Sequence, residues 1–373
     1  MFFNILKYLS IVKEIIFIFN QGRIDRLNHD PSGPKEFFYT YHKFKETFNN
    51  VDLIESNVEN RSIFKFLFKF LRKLSTLPIY TENFLNSQHL KSIFNSKVLI
   101  ATNQNLAFSV LPILIIKKIF TKTYFYTFGM GLLENQLKKG INIYFFNLFL
   151  KLSEKIFFIS RNEFEQAKKI LPKFKHKFLY IPFAIDTDFW DGKNNSDKKY
   201  ILFNGNDMNR DYDFIFNLAK KMRDYDFVFI TQRFQNINLP NVKLIKGNWN
   251  DNILSDEEVK KYYELSHVTL IPLKQTYQPS GQSVALQSAS METPVFITRT
   301  KGFWDNTLFE DSKNIIFIDE NNLDLWKEKI DEVLSNKEFY NLLSSNGKKL
   351  INKEFNIDKM YLSVLDEIKS VEF

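Results

Sequence analysis

Each half of this chain carries six short runs of β-branched and aromatic residues that alternate with longer segments of helical period, and no other feature restricts the fold so tightly. Neighbouring parallel strands need a crossover of a dozen or more residues, usually a helix, so this alternation predicts parallel sheets built from βαβ units. In the first half, strands are expected at 13–19 (KEIIFIF), 51–55 (VDLIE), 97–102 (KVLIAT), 123–127 (TYFYT), 155–160 (KIFFIS) and 177–182 (KFLYIP). The clearest helices between them fall at 34–47, 61–74, 136–153 and 161–170. A polar stretch at 191–199, DGKNNSDKK, has the composition of a linker.

After the linker the pattern restarts, with strands expected at 200–204, 226–230, 241–245, 267–272, 294–298 and 314–318. Helices are expected at 210–223, 256–265, 281–291, 322–335, 337–353 and 357–370, the second opening at SDEE with Ser255 as N-cap. The fold class is therefore α/β with two doubly wound domains, which suits 373 residues, since single cores stop growing near about 250–300. The expected division is 1–190, 191–355 and a last helical segment, 356–373. That segment should cross back to the first domain, because 321–373 offers three helices and no further strand.

The chain has no cysteine, which removes disulfides, thiolate metal sites and cysteine nucleophiles together. Its five histidines, His29, His42, His89, His176 and His267, lack metal-ligand spacing, so a protein zinc site is not expected. Lys7, Lys13 and Glu14 interrupt the apolar N-terminus, which has no small-residue cleavage site, and no apolar run reaches the roughly 18 residues of a membrane span. A cytoplasmic location is the default expectation. Residues 1–186 hold 27 Lys and Arg against 14 Asp and Glu, whereas 187–373 hold 24 against 29. The first half, at +13, should meet something anionic, such as a membrane surface, an acidic glycan or nucleic acid.

Ligands of open α/β sheets bind beyond the carboxyl ends of the strands. In FNGNDMNRDYDF at 203–214, Gly205 allows close backbone approach and Arg210 stands at the mouth of the next helix, where a guanidinium can hold a diphosphate in two-point fashion. The simpler alternative is a turn at Gly205 and an ion pair of Arg210 with Asp207 or Asp211. Within 271–295, a strand ends at Pro272 and SGQS at 280–283 opens a helix whose first amides make an anion site, or else an ordinary Ser-capped helix.

At this second segment the chain resembles the retaining, nucleotide-sugar-dependent GT-B glycosyltransferases of the large family 4 type. ALQSASMETPVFIT is similar to the family helix bearing an acidic residue seven positions before Pro-Val, here Gln287. IPFAIDTDFW at 181–190, NGN…RDYDF and LSDEEVKKYYELSHVTLIPL at 254–273 are similar to further family segments, so the likeness covers most of 155–300. It implies GT-B, two doubly wound Rossmann-like domains facing a central cleft, with the donor in the C-terminal half. Donor binding is implied for Gly205, Asn206, Arg210, Lys274, Ser280, Gly281, Gln282, Ser283 and Gln287. It also implies a hexosyltransferase-like enzyme taking a nucleotide-diphosphate sugar as co-substrate, without metal. The leaving diphosphate would help to deprotonate an acceptor hydroxyl.

The chain departs from the family pattern at several positions. Gln287 and Gln278 or Pro279 stand where the family has two glutamates, Asn206 replaces the usual Arg, and Phe128 and Gly129 replace the histidine after TYFYT. No catalytic residue is assigned for this reason.

On the acceptor side, Ser32 and Gly33 in DPSGPKEFF resemble the family's Gly-containing loop, and Gly129 in TFGMG follows a strand end, although turn chemistry alone would explain both. The acceptor implied is a glycan, such as a polysaccharide, or a lipid-linked molecule. SIFKFLFKFLRKL at 62–74 places Lys65, Lys69, Arg72 and Lys73 on one helical face, suggesting an interfacial helix at an anionic membrane or a core helix with a solvated basic face. Two alternative functions stand beside transfer: a catalytically inactive GT-B-like subunit of a glycan-synthesis complex, motivated by the missing acidic pair, and nucleic-acid binding. The basic half has no recognisable nucleic-acid module, so no nucleic-acid partner is expected.

Overall fold

A computed structural model of the chain describes residues 15–58, 64–133, 141–192, 197–247 and 254–369. The expectation for the extreme N-terminus and the centre of the 191–199 linker lie outside them. The chain divides into two compact units, the first comprising Met1–Pro31, Phe37–Ile181 and Tyr361–Phe373 and the second Ser32–Glu36 and Pro182–Met360.

In the first unit, strands β1 (Ile15–Phe19), β2 (Val51–Glu55), β3 (Val98–Ala101), β4 (Tyr124–Gly129), β5 (Lys155–Phe158) and β6 (Phe178–Tyr180) form a parallel sheet. Its order is β2-β1-β3-β4-β5-β6. Every residue of β1, IIFIF, is buried, as both faces of a parallel sheet are covered by helices. Those helices are α1 (Arg23–His29), α2 (Tyr41–Thr47), α3 (Lys65–Ser75), α4 (Ser87–Phe94), α5 (Gln104–Phe120), α6 (Ile141–Leu152) and α7 (Arg161–Ile170). Side-chain caps set several starts: Asn86, Asn103 and Ser160 accept from the amides of His89, Leu106 and Glu163 at 2.7, 3.0 and 3.3 Å.

The single helix expected at 34–47 is broken. A 3₁₀ turn at Lys35–Phe38 is separated from α2 by Tyr39, whose φ of 51° no α-helix tolerates, and whose ring packs 4.7 Å from that of Phe128.

The second unit contains β7 (Tyr200–Asn204), β8 (Phe227–Ile230), β9 (Val242–Ile245), β10 (Ser266–Ile271), β11 (Val295–Thr298) and β12 (Ile316–Ile318), again all parallel, in the order β12-β11-β10-β7-β8-β9. Helices α8 (Tyr212–Lys221), α9 (Asp256–Glu264), α10 (Gln282–Ser290), α11 (Leu323–Ser335) and α12 (Lys337–Glu354) cover it. The expected cap at Ser255 is a full capping box with Glu258. Helix α13 (Ile357–Lys369) begins in this unit, and from Tyr361 onward belongs to the first. There Tyr361 lies edge-on to Phe44 at 5.1 Å, and Glu367 pairs with Lys155 at 3.2 Å.

Candidate functional site

The order of the second sheet reverses between β7 and β10, which is the topological switch point where a doubly wound sheet opens a crevice beyond its carboxyl ends. The loops that leave those two strands carry Gly205, Arg210 and Ser280. They are joined by main-chain bonds: Lys274 N donates to Asn209 O at 2.8 Å and Asp211 N to Pro272 O at 3.0 Å. Asn209 fastens them further, its Nδ2 donating to Ser280 Oγ at 2.7 Å and to Gln278 Oε1 at 3.2 Å.

Arg210 sits within this joint, 2% exposed. Its guanidinium lies against two glycine backbones. A Cβ on Gly205 (φ 155°) would stand 2.4 Å from Nε, and one on Gly281 (φ 79°) 2.5 Å from Nη1. Glycine is required at both positions by the arginine as much as by the dihedrals. Nη2 reaches Asn204 O at 3.4 Å, while Nε is 3.1 Å from Asp207 Oδ2, within ion-pair distance but without hydrogen-bond alignment. Nη1 has no hydrogen-bond partner among the described residues. A buried guanidinium with five donors and so few acceptors is poorly satisfied by the protein itself, and an anion is the group that would complete it. The expected pairing with Asp207 is thus present, and leaves most of the donor capacity unused.

Helix α10 starts beside this guanidinium. The Ser-capped alternative does not hold, because Gly281 occupies the N-cap in the left-handed conformation and makes no side-chain cap, while Ser280 Oγ is taken by Asn209. The helix axis therefore begins at Gln282 and Ser283, with an uncapped first turn. Lys274 is exposed nearby in sequence. Asn206 serves the structure of the loop. Its Oδ1 accepts from Thr231 Oγ1 and Gln232 N, and its Nδ2 donates to Gly247 O, which ties the loop after β7 to those after β8 and β9.

Gln287 lies deeper, buried in a polar chain. Asn204 Nδ2 donates to Tyr263 OH, which donates to Gln287 Oε1 at 3.1 Å, and Gln287 Nε2 donates to Glu36 Oε1 at 3.0 Å. Trp190 Nε1 donates to the same oxygen at 2.7 Å, and Asp186 N to Glu36 Oε2 at 3.2 Å. Burial raises the Glu36 pKa to about 7 against the opposing pull of these donors. Burial likewise pushes the Tyr263 phenol up, keeping it a donor. No sequence motif marked out Glu36, though it stands four residues after Ser32. Its only sequence signal is an acidic residue followed by two phenylalanines, and the residues it meets lie 150 or more positions away. An acidic group is thus present beside Gln287, supplied by the segment Ser32–Glu36 rather than by α10 itself.

Ser32 is exposed and Gly33 half-buried in that segment, which packs with the second unit. Gly129 closes β4 in the first unit, where an added Cβ would meet only ordinary contacts at 3.5 Å or more from Ile156 and Phe158. The loop after it is held by others, Gln104 bonding both N and O of Met130 and Glu163 accepting from Gly131 N at 2.9 Å. In the first sheet the order reverses between β1 and β3, and the helix after β1 opens with Arg23, which the sequence pattern also left unmarked. Burial lowers its pKa, opposed by the nearby Tyr39 and Glu55.

No protein-family model matches the chain, and no curated protein matches it in sequence. Solved structures do. Among them are HepE of Anabaena in complex with UDP-glucose (TM-score 0.67, 10% identity, 96% of this chain and 100% of that one) and sucrose-phosphate synthase of Thermosynechococcus elongatus (0.70, 12%, 96% and 98%). A third is an α-glucosyltransferase in complex with UDP-glucose and DNA containing an abasic site (0.61, 13%, 95% and 99%). At these identities the likeness is one of fold. The fold is GT-B, with two Rossmann-like domains, each a six-stranded parallel sheet.

Proposed function

We propose that this GT-B chain is a glycosyltransferase that moves a sugar from a nucleoside-diphosphate donor to an acceptor hydroxyl. The observation that carries the proposal is the buried guanidinium of Arg210, short of acceptors, at the switch point of the second sheet. In the reaction the bond from the anomeric carbon to the donor phosphate breaks, and a bond to the acceptor oxygen forms. Because that bond breaks with its electron pair left on the phosphate oxygen, negative charge grows on the departing diphosphate where Arg210 and the first amides of α10 can stabilise it, and the hydroxyl proton then passes to that diphosphate. The chain's remaining contribution is to hold the two substrates in line. Gln287, bonded on both sides, positions α10 beneath the site through Glu36 and Tyr263. Similar structures hold UDP-glucose, so a uridine diphosphate sugar is the first donor to try. A glycan or lipid-linked acceptor, retention of configuration and independence of metal are proposed from the resemblance of 155–300 to family 4.

Calorimetric titration tests the donor site. Arg210→Ala is expected to weaken nucleoside diphosphate binding by about ten- to a hundredfold, the worth of a charge-assisted hydrogen bond or two, and to leave nucleoside binding unchanged. Equal loss for both ligands would remove Arg210 from the phosphates. The absence of a glutamate at 287 favours a second reading, a donor-binding subunit without turnover. Donor binding without hydrolysis or transfer across a broad acceptor panel would select it.

A further inference from the structure

Helix α3 buries only one of its three faces. At about 100° per residue, Phe68, Leu71 and Ser75 span an arc of about 60° that points into the first unit, where Phe68 and Leu71 join the core. Phe66, Phe70, Leu74 and Leu67 span a second arc of about 100°, and all four are exposed, Phe66 by 82%. Lys73, Lys69 and Lys65 span a third of about 80°, adjoining the second. The basic face differs from the one expected from sequence. Arg72 is drawn inward, where Nη1 donates to Glu82 Oε1 at 2.7 Å and to Ile79 O at 2.8 Å, and the guanidinium stacks over Tyr80. Phe64, just before the helix, is exposed as well. So are Ile143 and Tyr144 of α6, whose Asn142 bonds Thr76 at the end of α3. A core helix with a solvated basic face would not leave this apolar arc in water.

We propose that α3 is a docking face for the surface of an anionic phospholipid bilayer. Rings at the level of the acyl boundary, with lysines beside them reaching lipid phosphates, match both exposed arcs at once. A second copy of the chain matches only one. Residues 65–75 contain no acidic side chain, so a two-fold contact through this face would set lysine against lysine. At eleven residues α3 is too short to span a bilayer, so attachment through this helix is peripheral.

The test is sedimentation of the full chain with vesicles of phosphatidylcholine, alone or with phosphatidylglycerol, at low salt. The expected result is binding to the anionic vesicles only. Lys69→Gln with Lys73→Gln should lower the partition coefficient about fivefold per lysine, and Phe66→Ser with Phe70→Ser by about tenfold or more. All four side chains are exposed, so the unfolding midpoint should stay unchanged in both variants, and nucleoside diphosphate binding by the second unit serves as an independent readout. Failure of the wild type to bind anionic vesicles overturns the proposal. So does binding unaffected by either pair, and so does a self-association that Phe66→Ser with Phe70→Ser dissolves while vesicles are ignored.

Discussion

Glu36 carries a pH dependence that can be worked out in sign. Its folded pKa, about 7, lies above the ordinary carboxyl value of 4.5, so the fold binds its proton more tightly than the unfolded chain does. The stability this confers is fully present below about pH 4.5 and is lost as pH rises through about 7, a change of about 3 kcal/mol. In Glu36→Gln the side chain never ionises, although its amide would face the donating Asp186 N at a pH-independent penalty. The melting temperature of the wild type should therefore fall relative to Glu36→Gln between pH 5 and pH 8, and parallel curves would show that the carboxyl is ordinary. Arg210 was legible in the sequence because a basic residue after a strand end has a position from which to argue. Glu36 was not, because a buried acid is defined by partners such as Trp190 and Gln287 that only the folded chain brings near.

The strands were the most legible elements, since runs such as IIFIF and VLIA are apolar on both faces and hydrogen-bond only within a sheet. Helix α5, seventeen residues long, was not among the helices that the sequence pattern made clear. Buried from Leu106 to Leu111 and at Ile113 and Leu114, it shows little polar period, and it runs through Pro112, a residue that in sequence argues against a helix interior. The start of α10 illustrates the opposite case, in which the sequence placed the helix and left open whether a serine caps it or its first amides stay free: the glycine between the serines provides the turn, and no side chain caps the helix. Gly281→Ala sets a methyl group 2.5 Å from Arg210 Nη1 and 2.6 Å from Ile271 Cγ2 at a positive φ. It is expected to destabilise the chain by about 1–3 kcal/mol and to weaken diphosphate binding together with it. Chemical denaturation and titration of the same variant check both, and a neutral effect would mean that the loop relocates the guanidinium freely.

At the scale of the whole chain, neither unit is one continuous stretch. Ser32–Glu36 belongs with the second unit, and Tyr361 onward with the first. A fragment spanning 182–360 lacks Glu36, and so leaves Trp190 Nε1 and Gln287 Nε2 without their acceptor, at about 1–3 kcal/mol for each buried donor. Its urea midpoint should lie below that of the same unit in the intact chain. Equality would show that water replaces the carboxylate.

The same chain path decides how the molecule bears load. Residues 15 and 369 both belong to the first unit, and most of the second is inserted between Ile181 and Tyr361 of it. Tension applied at those two residues in an optical trap would act on β1 and α13 before any of it reached the second sheet. The first rupture should be that of the first unit. The second unit should lengthen only afterwards, and if it holds the donor as proposed, a saturating nucleoside diphosphate should raise the force of the second event alone.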